Sequence, residues 1–74
     1  MHESPIERAE QHVAQAEGRV ARQKQLIEKL VRDKHPATAD QARAVLAVLE
    51  ESLRLAHEHL RLEVKHYGNP EKDA

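Results

Sequence analysis

The chain has no cysteine, no tryptophan and no phenylalanine, and Tyr67 is its one aromatic residue. Without cysteine it can form no disulfide and offers no thiolate to a metal. With that single aromatic far from the basic residues 19–34, the chain offers no platform there on which nucleic-acid bases could stack. Glycine occurs twice and proline three times among 74 residues, so few positions interrupt regular structure. No long apolar run is present. The longest uncharged one, residues 44–49, is far too short to span a bilayer. The first residues carry Glu3 and Glu7 and no apolar block, which argues against a signal peptide and favours a cytoplasmic protein. Neither sign of charge dominates. Twelve basic side chains face 13 acidic ones, so no net field draws the chain towards nucleic acid or a membrane.

What remains is aliphatic and charged. Hydrophobic residues make up 39% of the chain, and Ile, Leu and Val together number 16. Fully burying one of these contributes roughly 1.5–3 kcal/mol. Ordering the chain costs about 1.5 kcal/mol per residue. One copy does not clearly cover that cost, and chains of this size commonly oligomerise to enlarge the core.

Helix punctuation is dense. Ser4-Pro5-Ile6-Glu7 is a capping box with proline at the first helical position. Pro36 disfavours helical geometry at His35 and stops the first helix there. Thr38-Ala39-Asp40-Gln41 reads as a second capping box, with Asp40 in the first turn. Gly68 and Pro70 mark the second helix's end. The spacing therefore predicts an all-α fold: an antiparallel two-helix hairpin, with helices over about 5–34 and 39–67. Residues 1–68 make one hairpin domain, and residues 69–74 read as a disordered tail.

Both helices repeat every seven residues. In the first, Ile6, Val13, Val20 and Ile27 form one column, and Ala9, Ala16, Gln23 and Leu30 its companion. Gln23 either fixes the register from within the seam or bends out to water. In the second helix, Leu46, Leu53, Leu60 and Tyr67 run beside Ala42, Leu49 and Ala56, ending at Glu63. That seam closes a hairpin. Two further columns follow: Val48, Leu55 and Leu62, then Val45, Ser52, His59 and His66. The four columns cover about 150° of the helix, more than one neighbour requires. The second pair of columns is therefore the expected oligomer interface, and the expected assembly is a dimeric four-helix bundle.

Charge sets the expected direction of that dimer. Residues 19–34 carry six basic and two acidic side chains, net +4. Residues 1–18 carry a net of −3, and residues 50–74 a net of −2. Each hairpin is thus basic at its turn and acidic at its open end. Two copies with turns at opposite ends bring unlike charges together.

The histidines invite a metal reading. His57 and His59 point about 200° apart on a helix and cannot share an ion. His59 and His66 share a face, and they are the remaining candidates for a site between chains. Their bland reading is as boundary residues of the second seam. No cofactor is expected. Nucleophilic catalysis has no support, because Ser4 is a cap and Ser52 sits mid-helix without a glycine-rich turn. The chain is not expected to be an enzyme. Arg19, Arg22, Lys29 and Arg32 on the outer side of the first helix are the candidates for nucleic-acid contact, with a solvated surface as the competing reading.

Two resemblances bear on this pattern. His12-Val13-Ala14, Glu17, Arg19-Val20, Arg22-Gln23 and the stretch from Leu49 to Leu60 resemble short uncharacterised helical-hairpin proteins abundant in alphaproteobacteria. That resemblance implies a hairpin and a bacterial origin and no mechanism. By architecture alone the chain is similar to the plasmid copy-number regulator Rop, a dimeric four-helix bundle. The expected function is a self-associating interaction or structural protein. A nucleic-acid-binding regulator is the alternative, and a histidine metal binder stands behind it. An unidentified protein partner is a further expectation; a membrane is not.

Overall fold

Ser4 starts the first helix as its sequence implies. Its hydroxyl accepts from the Glu7 backbone N–H at 3.0 Å, and its own N–H donates to the Glu7 carboxylate at 3.3 Å. The computed structural model describes residues 4–67. Within them lie two helices and no strand: α1, Pro5–Arg32, and α2, Pro36–Tyr67. Gly68 and residues 69–74 lie outside the described residues.

The turn is tighter than the sequence pattern suggests. α1 ends at Arg32 rather than 34, and α2 begins at Pro36 rather than 39. The reversal is a Schellman motif. The Lys34 N–H donates to the Val31 carbonyl at 3.1 Å, and the His35 N–H to the Leu30 carbonyl at 2.9 Å. Closing those bonds puts Lys34 in the left-handed region at φ 63°. His35, held out of helical geometry by the proline after it, becomes the cap of α2, and its carbonyl accepts from Ala39 at 2.9 Å. Pro36 then occupies the first helical position, where a missing N–H costs nothing. The Thr38 capping box does not form, since Thr38 is already inside the helix. Asp40 falls beyond the first turn and pairs instead with Arg43 at 2.8 Å.

Gln23 settles the register. It does not bend out to water. Its side-chain amide donates to the Ala42 carbonyl across the seam at 2.9 Å. The fully buried residues are Ala9, Val13, Ala16, Val20, Ala39 and Ala42. The seam leucines Leu46, Leu49, Leu53 and Leu60 are half-buried. Tyr67 fits the seam column by spacing yet is 63% exposed. α1 begins only at Pro5, so in this register nothing of α1 lies opposite Tyr67. The hairpin measures 60 × 23 × 13 Å, a single layer of two helices.

Two substitutions test the backbone account. Lys34→Gly removes the steric cost of a left-handed side chain and raises stability by about 0.5–1 kcal/mol. Gly18→Ala gains about as much, because a Cβ there meets nothing within 4 Å. Urea denaturation measures both. A loss of stability in Lys34→Gly would contradict the Schellman assignment.

Candidate association surface on the second helix

α2 is long enough, at 32 residues or about 48 Å, to present separate faces along its length. One face closes on α1. The next face around the helix is bare. Val45 is 49% exposed, Val48 65%, Leu55 53% and Leu62 51%, and Ser52, His59 and His66 between and beyond them are exposed too. These are the seven residues expected at an oligomer interface, and the hairpin itself covers none of them. Their heptad spacing repeats that of the seam, offset by about 100° around the helix. Four large aliphatic side chains on one face of so small a chain make a patch that isolated surface leucines do not.

Leu26 was missed in the sequence. It is 45% exposed on α1. It follows Gln23 by three residues and so borders the seam on its own helix. Leu26 belongs to neither seam column, and its one signal was a leucine out of register. At the turn, Val31, Lys34, Pro36, Ala39 and Arg43 line an open cavity of about 370 Å³. It exists because the Schellman turn lays the end of α1 beside the start of α2, which no local pattern reveals.

The histidine candidates do not converge. His59 Nε2 lies 3.4 Å from Glu63 Oε1, one turn along the same helix. His66 packs edge-to-face against Tyr67, with ring centroids 5.6 Å apart. Among the described residues no three His, Asp or Glu side chains stand together as a metal would need. Among the described residues Glu63 is the one side chain with an unsatisfied buried atom: its Oε2 has no hydrogen-bond partner. Protonation of His59 turns its contact with Glu63 into an ion pair. His57, two residues before His59, is exposed and projects from another side of the helix.

Charges are arranged differently on the two helices. On α2 the arginines are paired in place. Arg54 Nε is 2.6 Å from Glu51, and its guanidinium also lies 3.3 Å from Glu58, which in turn stands 3.9 Å from Arg61. The hydrogen bond from Arg54 holds the Glu51 carboxyl below its ordinary value of 4.5, and the same bond raises Arg54. On α1, Arg19, Arg22, Lys29 and Arg32 are exposed, and none joins an ion pair among the described residues. No helix among the described residues is long and apolar enough to cross a membrane.

The Glu51–Arg54 pair has a defined pH signature. Glu51's lowered value in the folded chain means that its contribution to stability is complete above the ordinary carboxyl value. That contribution is lost as pH falls through the lowered value. Carboxyl NMR titration should place the Glu51 midpoint below 4.5 in the native chain and return it to the ordinary value in Arg54→Gln. An unchanged midpoint in the variant would refute Arg54 as the cause.

Comparison with protein-family models, with curated proteins and with solved structures finds no match for this chain.

Proposed function

We propose that this chain is a small self-associating interaction protein. Two hairpins join through the bare face of α2 into a dimeric four-helix bundle, with their turns at opposite ends. The observation that carries this reading is the exposure of Val45, Val48, Leu55 and Leu62 in two adjacent heptad-spaced columns beside a seam that is already closed. The interior of one hairpin supports it as well. The six residues buried there are alanines and valines, while Leu30, Leu46, Leu49, Leu53 and Leu60 are only half-buried and Leu26, Leu55 and Leu62 are exposed. A second layer of helices covers both the bare face and the outer side of the seam leucines. The second copy is the occupant that the charge pattern favours. The basic turn end, net +4 over residues 19–34, meets the acidic open end of the other copy when the turns point apart. The role is association, with no catalytic step, cofactor or metal assigned.

A second reading has one observation behind it. The unpaired Arg19, Arg22, Lys29 and Arg32 form a cationic strip on α1, suited to a phosphate backbone. It lacks any aromatic neighbour for base stacking, so contact would be with phosphates alone. Titration of labelled RNA and DNA duplexes separates the two readings. Binding that weakens steeply with salt and disappears in Arg22→Gln/Lys29→Gln supports the nucleic-acid reading, and its absence removes it.

Self-association has its own tests. Leu55→Glu or Leu62→Glu places a charge in the apolar contact and yields a folded monomer. Leu53→Glu instead disrupts the hairpin and lowers helicity. Sedimentation equilibrium and circular dichroism distinguish these outcomes, and an oligomer that survives Leu55→Glu excludes this face. Spin labels at Ala37 should lie about 40 Å or more apart in the dimer. Labels within about 20 Å would mean that the turns lie together.

A further inference from the structure

The ion ladder on α2 has a place in the contact between copies, and this inference rests on the self-association reading above. Val45, Ser52 and His59 make one column of the bare face, and Val48, Leu55 and Leu62 the other. When two such faces pack antiparallel, each layer joins one column to the other column of the partner. One register engages every residue from 45 to 62. It sets Val45 against Leu62 of the partner, Val48 against His59 and Ser52 against Leu55, followed by the same three layers in reverse. Slipping one heptad in one direction forfeits two layers. Slipping in the other direction leaves Val45 without a partner and puts a histidine or serine in every layer.

That register fixes what lies alongside. The column flanking Leu55 holds Glu51 and Glu58. In antiparallel packing this column meets its own copy, so Glu51 comes closest to Glu58 of the partner, and the symmetric pair does the same. Four carboxylates then gather around the two-fold axis, which by itself opposes association. Arg54 lies between the two carboxylates of each copy. Its Nε and one terminal nitrogen hold Glu51 at 2.6 and 3.1 Å, and its other terminal nitrogen reaches Glu58 at 3.3 Å. We propose that Arg54 is the specificity-determining residue for self-association: its guanidinium offsets the charge of the Glu51 and Glu58 carboxylates that face their counterparts across the dimer axis. Within one helix these pairs are worth only a few tenths of a kcal/mol. Across the axis, loss of Arg54 leaves four carboxylates around one point, with Arg61, 3.9 Å from Glu58, as the nearest remaining cation.

This clasp also selects the partner. A helix with the same leucine column but acidic residues in place of arginine would meet uncompensated repulsion, so a second copy of this chain is the preferred occupant. Sedimentation equilibrium at low salt gives the test, with circular dichroism on dilute samples to follow folding of the hairpin. Arg54→Gln should raise the dimer dissociation constant about tenfold or more. Added salt should narrow that gap, because it screens the four carboxylates. The triple variant Glu51→Gln/Arg54→Gln/Glu58→Gln should return to within about threefold of the native constant. A role confined to helix stability gives the opposite result, since the triple variant has lost the same intrahelical pairs and would stay as weak as Arg54→Gln. A native chain that is monomeric throughout the concentration range would remove the self-association reading itself. A native dimer whose constant is unchanged by Arg54→Gln, or not restored in the triple variant, would overturn the clasp and leave that reading standing.

Discussion

Two helices laid side by side can cover each other along only one seam. Every other feature of this hairpin follows from that constraint. The chain is one layer thick, 13 Å in its narrowest dimension. Its fully buried residues are those small enough to sit between the helix axes, with Ala39 at 0% and Ala9 at 1% exposure. Leucine is too long to hide in such a seam. Leu46, Leu53 and Leu60 point along it and remain half-buried, while Leu55 and Leu62, a further third of a turn around, have nothing over them. Burial within one hairpin is therefore incomplete. The side chains able to contribute most by burial are the ones the monomer leaves in water.

The polar groups hold this thin layer in register. A seam of alanines and valines would tolerate sliding, because one small apolar layer resembles the next. Gln23 breaks that degeneracy with a directional bond to the Ala42 carbonyl at 2.9 Å. The bond lies on the turn side of the middle of α1, where the Schellman motif already limits how far the helices can shift. Register error thus grows only towards the open end. There α1 starts at Pro5, Tyr67 projects past it, and the Glu63 carboxylate keeps one oxygen buried and unbonded. The end that faces the fewest constraints is also the acidic one.

Charge is sorted by helix as well as by end. The arginines of α2 are consumed locally by Asp40, Glu51 and Glu58, so the flank of the bare apolar face is close to neutral. The cations of the second half of α1 have no such partners among the described residues and give the turn end its field. The two helices therefore offer different surfaces: α2 a neutralised apolar stripe, α1 a cationic strip. An apolar stripe favours close packing of a complementary helix, whereas exposed single charges steer and orient more than they bind.

Much of this was legible from residue order because helix formation is local. The Ser4 capping box, the seven-residue columns and the break at Pro36 involve side chains within one or two turns of each other, and their periodicity alone separates the seam from the bare face. The sequence by itself determined two helices, their antiparallel return and which leucines would be left over. It misjudged the turn, where Thr38 and Asp40 form a good capping signal that was never used. Pro36 could start α2 earlier only because Lys34 accepted a left-handed backbone, and that cost is repaid by hydrogen bonds to Val31 and Leu30 on the far side of the reversal. Tertiary structure alone decided whether Gln23 faced water or Ala42, that Tyr67 would overhang its neighbour, and that Leu26 would remain exposed beside the seam. Each of these depends on which residue of α1 lies beside which residue of α2. That relation spans some twenty residues of chain, and no local pattern encodes it.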